Sequence, residues 1–379
     1  MNNIPRNEYP RPDRHRDSWL CLNGTWDFEI DNALVGEAKK FFERDSLDGK
    51  ITVPFCPESR LSGVAHTDFM NAVWYRRDLD IPADWAGKNV ILHIDASDYE
   101  TTVYVNGKNV GTHRGGYTSF QYDITNYLAA EGNYVTVCAK DDIRGEKQVS
   151  GKQSHRFGSY GCYYTRTTGI WQTVWLEAVE AAHVTAYKVF ANISDPSVTL
   201  DVLTSNASVG AELNVKAYYE GKLMGETSAT VASGSTTVNI ALAEKHLWEC
   251  GNGRLYDLKF ELTKDGKTDV MDGYFGLREV ALTRDRGLMI NGKTVFGRFV
   301  LDQGFNPEGI ITAPNDKHLV FDIEASMACG FNGARLHQKV FEPRFLYHAD
   351  RLGYMVWGET GNWGLDHTLP EAIYNFLPE

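Results

Sequence analysis

No run in this 379-residue chain approaches the length of about 18 apolar residues that a membrane-crossing helix needs. The amino-terminal stretch MNNIPRNEYPRPDRHRD is polar and proline-rich. It has no apolar h-region, so no signal peptide is expected and, taking residue 1 as the natural start, a cytoplasmic location is. Cysteine is sparse: Cys21, Cys56, Cys138, Cys162, Cys250 and Cys329 are scattered along the whole sequence. None falls into a CxxC pair or a Cys/His cluster with zinc spacing, which excludes a structural zinc site and leaves free thiols as the expectation. Positive charge is in deficit, with 38 Lys and Arg against 50 Asp and Glu, a net charge of −12. That balance, with no basic stripe interleaved with aromatics, excludes a nucleic-acid footprint. Internal repeats and low-complexity tracts are lacking as well.

What is present is an ordinary globular composition, 42% hydrophobic and 23% charged, in a length that suggests about two to three domains. Aromatics reach 12%, enough for β-sheet cores and also for platforms that stack on flat apolar ligand faces. From Trp19 to about Val179 the pattern has period two. GTWDFEI places Trp26, Phe28 and Ile30 on one face against Asp27 and Glu29. TTVYVNGKNVGTH reads as a hairpin turning at Asn106-Gly107, and GIWQTVWLEAV as a further strand. Many strands with few helices over residues 1–180 predict a jelly-roll sandwich. Residues 181–280 continue with shorter strands (SVTLDVLT, LNVKAYYEG, LYDLKFELT) spaced by turn residues. They predict an immunoglobulin-like sandwich without the Cys…Trp…Cys pattern of antibody domains.

Residues 281–379 change character. LMINGKTVF is a hairpin turning at Asn291-Gly292. The runs VFGRFVLD, FNGARLH and MVWGE then alternate with two helical patterns. In the first helix Leu319, Ile323 and Met327 recur every four residues, Pro314 and Asp316 suit its first turn, and Gly330 stands where it should stop. In the second, Phe345, Leu346 and Ala349 share a face and Gly353 is the stop. Three strands with helical crossovers predict the opening of a parallel (β/α)8 barrel, whose active site gathers at the carboxyl ends of the strands. The fold class expected is therefore multidomain and mainly β: jelly roll, immunoglobulin-like sandwich, then the first three βα units of a barrel. By the eight-unit rule about five units are missing, and a barrel cut there leaves an open strand edge.

Polar residues stand where each barrel strand ends: Asp302 and Gln303 after the first, Arg335, His337 and Gln338 at the second, Glu359 at the third, with Trp363 just beyond. Each has a bland reading beside the functional one. Arg335 and Glu359 could simply pair, His337 could be a satisfied core histidine, Asp302 and Gln303 could cap a loop, and Trp363 could pack rather than stack on a sugar. His15 and His66 have no constellation around them and read as surface residues.

The run FNGARLHQKVFEPRFLYHADRLGYMVWGE resembles the first signature of glycoside hydrolase family 2, the retaining β-galactosidases, β-glucuronidases and β-mannosidases. Asn332, Arg335, Pro343, Asp350, Arg351, Gly353 and Glu359 occupy that signature's positions. LNGTWDF, VWYRR, TGIWQTVWLE, LWECGNGRLYDL and LMINGKTVFGR are similar to the family's upstream markers, in the family's order. The resemblance implies a hydrolase of terminal β-linked sugars working through a covalent glycosyl-enzyme, with no cofactor. It implies a carbohydrate substrate, leaves a homo-oligomer open, and makes Asp302, Gln303, Arg335, His337, Gln338, Glu359 and Trp363 substrate-binding candidates. It also points to a loop of the first sandwich, HRFGSYGCYYTRTTGIW, as reaching the barrel, with Arg166 and Tyr163 as candidate contacts.

Two departures qualify the resemblance. The family's histidine after the second strand falls on Gln338, with His337 one residue earlier, and LDQGFNP replaces its basic or histidine-containing run. Sugar specificity is therefore open. More important, retaining glycosidases need two carboxylates about 5–5.5 Å apart. In the family these are a glutamate of an Asn-Glu pair ending the fourth strand and another ending the seventh. No Asn-Glu pair follows Glu359; Asn7-Glu8 lies in the leader. No residue of the chain is thus expected to be catalytic, and the chain alone is expected to be inactive. Glu359 itself is expected to support the site or pair with Arg335. Competing expectations are a non-catalytic carbohydrate-binding module, one subunit of a split glycosidase, and a chain shortened or proteolysed.

Overall fold

The structure, a computed structural model, describes residues 4–376. Its first layer pair packs a six-stranded antiparallel sheet on a four-stranded one. The larger sheet runs Gly49–Val53, Gly24–Ile30, Ala72–Leu79, Asn133–Lys140, Glu100–Val105, Lys108–Arg114. The smaller runs Trp19–Cys21, Val174–Val179, Asn89–Ile94, Phe120–Asp123. Trp26, Tyr75, Val103, Val137, Leu92 and Leu176 meet between them in one apolar core. Asn106 and Gly107 both hold positive φ, as the tight hairpin requires.

Two local expectations are corrected here. Asp27 is buried rather than on a wet face, because it accepts the Leu47 N–H and pairs with Lys50. GIWQTVWLEAV is two strands, Gly169–Ile170 and Val174–Val179, the first pairing antiparallel with the short strand Ser97–Asp98.

The second layer pair sets a three-stranded sheet (Val184–Asn192, Ser197–Thr204, Ser235–Ala241) on a four-stranded one. The latter runs Lys222–Thr230, Glu212–Tyr219, Tyr256–Lys264, Lys267–Phe275. Its alternate residues Leu213, Val215, Ala217, Leu258, Phe260 and Met271 fill the core, so the intervening residues of the same strands face outward. The leader adds to the free edge of this sheet, His15 and Asp272 exchanging both backbone hydrogen bonds at 2.8 and 2.9 Å. His15 is accordingly half-buried against the Tyr9 ring, 4.3 Å between centroids, and His66 is half-buried too; neither is the plain surface residue expected.

Beyond the hairpin at Asn291-Gly292 come three parallel strands, Phe299–Asp302, Gly333–Leu336 and Met355–Gly358, in that spatial order. The crossovers are helix α1, Asp316–Ala328, and helix α2, Pro343–Leu352. Helix α3, Pro370–Phe376, follows the third strand. Leu319 and Ile323 of α1 and Phe345 and Ala349 of α2 pack on Ala334 and Leu336. The first strand is shorter than VFGRFVLD, and α1 starts after an Asn315 cap, leaving Pro314 outside. In α2 the buried third residue is His348, which bonds Asp316 at 3.0 Å, while Leu346 turns outward.

Residues of the signature hold this part together. Asn332 accepts the Arg298 N–H and donates to the Phe296 carbonyl, tying the entries of two strands. Asp350 accepts from Arg278 at 3.0 Å and from the Tyr274 hydroxyl at 3.2 Å, fastening α2 to the second sandwich. Gly353 ends α2 with φ +74, and a Cβ there would lie 2.4 Å from the Asn252 nitrogen. Only glycine fits that close approach.

Candidate functional site

Parallel pairing fixes which side chains share a face. Leu301, Arg335 and Trp357 stand in register across the three strands, on the face away from the helices. Leu301 and Trp357 are 51% and 63% exposed, so this face is open. Two residues further along each strand the same parity brings Gln303, His337 and Glu359 to that face. The His337 N–H bonds the Asp302 carbonyl at 2.7 Å, so the pairing continues past the strand ends.

Glu359 is the anchor of this cluster. Its Oε2 lies 2.8 Å from both Nε and Nη2 of Arg335, and its Oε1 accepts the Gln338 N–H at 2.8 Å. Burial works to raise the carboxyl, but the Gln338 N–H, Arg335 and His337 outweigh it and hold the pKa below the ordinary value. Glu359 is therefore a carboxylate at neutral pH, an acceptor rather than an acid.

His337 is buried, with its Nε2 3.6 Å from Glu359 and its Nδ1 3.0 Å from the Gln303 amide nitrogen. The Tyr164 hydroxyl donates to Gln303 Oε1 at 2.8 Å, which orients that amide to donate to Nδ1. The proton of the neutral ring then sits on Nε2, directed at Glu359. Burial lowers the His337 pKa, with Lys152 and Arg335 adding to it against Glu359, so the neutral ring is the form present near pH 7.

The expected residues divide. Arg335, His337, Glu359, Gln303 and Trp363 come together; the Trp363 ring stands edge-on to His337 at 5.9 Å and is partly exposed. Gln338 is adjacent but spent. Its amide donates to Asn362 Oδ1 at 2.7 Å and accepts the Trp363 N–H at 3.0 Å, so it shapes the turn rather than facing a ligand. Asp302 lies in the Leu336 row, on the helix side, and accepts the Gly304 N–H at 2.8 Å. That is the loop-capping reading, and burial raises its pKa. Arg166 does not reach the cluster: it is 1% exposed, donates to the carbonyls of Thr67, Arg156 and Phe157, and lies over the Phe69 ring. Its charge is consumed in folding its own loop.

That loop nonetheless arrives, through other residues. Tyr163 packs against Trp363 at 5.6 Å, Tyr164 stacks on Phe305 at 4.0 Å, and the Lys152 ammonium sits 3.5 Å from the Trp363 ring centre. Ser150 and Gly151 N–H groups bond the Trp363 carbonyl. Gly151, at φ +54, lets the backbone approach the Gln338 carbonyl, which a Cβ would meet at 2.3 Å. Lys152, Tyr164 and Asn362 had no local signal, since their partners lie more than a hundred residues away or, for Asn362, 24 residues away across a helical crossover. Lys339 was also missed. It is buried beneath the first strand's loop, donating to the Gly304 and Ile311 carbonyls, and burial brings its pKa down to about 8. No group of three or more His, Cys, Asp or Glu side chains able to hold a metal ion occurs among the described residues.

The array presents a carboxylate acceptor, a ring N–H donor, a guanidinium and an aromatic face on one open surface, groups suited to binding hydroxyls and a ring face. Residues 20–176 match the sugar binding domain of glycosyl hydrolases family 2, and residues 182–278 match a second domain of glycosyl hydrolases family 2. The chain belongs to glycoside hydrolase family 2.

Among family relatives it is 23% identical over 380 residues to the β-glucuronidase of Streptococcus agalactiae, covering 94% of this chain and 59% of that protein. It is 26% identical over 315 residues to the β-galactosidase of Thermoanaerobacter pseudethanolicus, covering 78% of this chain and 40% of that one. The structure is similar to that of the Ruminococcus gnavus β-glucuronidase, with a TM-score of 0.81 at 20% identity, over 98% of this chain and 64% of that one. The family 2 chain thus spans less than two thirds of the length of these relatives.

Proposed function

We propose that the three parallel strands open a (β/α)8 barrel, and that the chain supplies the sugar-facing entrance of a retaining β-glycosidase acting on terminal β-linked sugars. Its acid/base and nucleophile glutamates lie outside these 379 residues. The single observation that carries this reading is the convergence of Arg335, His337 and Glu359 on one face at the carboxyl ends of the strands. Barrel enzymes gather their chemistry there.

In this reading Glu359 accepts a sugar hydroxyl, the His337 Nε2–H donates to a neighbouring one, and Trp363 offers its face to the ring. Arg335, half-exposed in its side chain, keeps Glu359 ionised and retains free donors. None of these performs the displacement. A retaining mechanism needs a nucleophile and a protonated acid about 5–5.5 Å apart, and Glu359 is held ionised while Asp302 faces the other side of the sheet.

The test is hydrolysis of nitrophenyl β-glucuronide and β-galactoside by the 379-residue chain, mass confirmed, and by the polypeptide extended with its downstream coding sequence. The short chain is expected to give none and the extended one saturable turnover. Saturable hydrolysis by the short chain overturns the proposal.

A further inference from the structure

Away from the strand ends, a groove of about 580 Å³ opens where the leader, the second sandwich and α2 meet. Its volume falls within the range of about 300–1,000 Å³ typical of small-molecule sites. The floor is the outward face of the four-stranded sheet. There Tyr218, Asp257 and Tyr274 stand side by side in one cross-strand row, and Lys259 and Asp272 in the next. Tyr9 and His15 of the leader form one wall, fixed by the backbone pairing of His15 with Asp272. Tyr347 of α2 forms the other, its ring edge-on to Tyr274 at 5.2 Å.

We propose that this groove is a second carbohydrate-binding site, for a short neutral glycan, separate from the strand-end cluster and independent of whether that cluster serves catalysis. The row structure is the argument. A carboxylate flanked on both sides by tyrosines offers a hydroxyl acceptor between two aromatic faces, the pairing that a sugar ring with one polar rim and one apolar face needs. Neighbours across strands lie about 5 Å apart, so Tyr218 and Tyr274 stand about 10 Å apart with Asp257 between them, the reach of a disaccharide rather than of one ring.

The polar groups of the floor are available. Among the described residues, the side chains of Asp257, Lys259 and Asp272 and the hydroxyl of Tyr218 take part in no hydrogen bond or ion pair recorded in the structure. The Tyr274 hydroxyl, by contrast, is committed to Asp350, which fixes its ring. Asp257 is exposed on the groove floor, and partial desolvation, with Asp272 in the next row adding to it, raises its pKa.

Charge selects the ligand class. Arg344 at the rim is paired with Asp316, leaving two carboxylates around one ammonium. An anionic sugar meets Asp257 and Asp272, a cation meets Lys259 in the same space, and an apolar ligand would strand all three charged groups. A neutral polyhydroxyl ligand uses both signs, as acceptors and donor.

The experiment titrates the 379-residue chain with lactose and with cellobiose, using glucuronic acid as the charged comparison, and repeats it with Tyr218→Ala, Asp257→Asn and Trp363→Ala. Expected is saturable millimolar binding of at least one disaccharide, weakened about tenfold by Tyr218→Ala, the value of one stacking contact. Asp257→Asn is expected to weaken it as well, whereas Trp363→Ala weakens only binding at the strand ends. Tyr218→Phe, which keeps the ring, serves as the folding control and retains most of the binding. No saturable binding of either disaccharide overturns the proposal. So does binding that survives Tyr218→Ala and Asp257→Asn; loss confined to Trp363→Ala would assign it to the strand-end site instead.

Discussion

Arg16 offers the sharpest test of how the leader is held. Its guanidinium reaches two carboxylates from different sandwiches: Nε and Nη2 clasp Asp269 at 3.1 and 2.9 Å, and Nη1 lies 3.3 Å from Glu177. All three side chains are nearly inaccessible. Replacing Arg16 by Met removes its three hydrogen bonds to carboxylates and a fourth to the Val184 carbonyl, and leaves two buried carboxylates uncompensated, apart from the Val184 N–H on Asp269 and His93 on Glu177. Breaking a buried pair in this way costs about 3–5 kcal/mol. The effect has a pH signature. Burial raises the Glu177 pKa, but His93 and Arg16 outweigh it and hold it below 4.5. A depressed carboxyl contributes stability above its unfolded pKa and loses it as pH falls. The gap between wild type and Arg16→Met is therefore full at neutral pH and narrows below about 4.5. Urea titrations followed by tryptophan fluorescence measure it, compared by midpoint because a multidomain chain need not unfold in one step. A cost under about 1 kcal/mol at neutral pH, or a gap that does not close in acid, would refute the reasoning.

Three further outcomes are expected. Glu58 is buried, with its pKa raised to about 8 by burial, so its stabilising contribution is complete below 4.5 and is lost as pH rises toward 8. Glu58→Gln should match wild type near pH 4.5 and exceed it by a few kcal/mol at pH 8 in the same titrations; a pH-independent difference contradicts this. Gly353→Ala should cost at least about 2 kcal/mol, from left-handed backbone strain and the clash with Asn252, and a neutral outcome would mean the α2 terminus is not so confined. Trp363→Ala should weaken sugar binding at the strand ends about tenfold, read by titration of the folded variant, and unchanged binding would contradict the ring's placement there.

Much of this was legible in the chain because the signals were local. Asn106-Gly107 and Asn291-Gly292 turn hairpins where positive φ is needed, and Gly353 stops α2 for the same reason. Arg335, His337 and Glu359 could be placed together because parallel strands align their ends by rule. Where a residue's environment is built by distant chain, the sequence was silent or misleading. Arg166 looked like a reaching cation, yet the carbonyls of its own loop and Thr67 absorb it. His348 replaced Leu346 on the buried face of α2 because Asp316, 32 residues away, supplies a partner. Tyr164 and Lys152 enter the cluster across the gap between the first sandwich and the strand ends, a contact that no periodicity encodes.

The most direct measurement is a sugar titration read at the strand ends themselves, by the ¹⁵N resonances of the His337 ring and the Trp363 indole, with galactose and glucuronic acid. Saturable shifts of both resonances with a common midpoint for at least one sugar, abolished by Glu359→Gln, are what this account predicts. Resonances that stay still for both sugars, or that move identically in the Glu359→Gln variant, would contradict it.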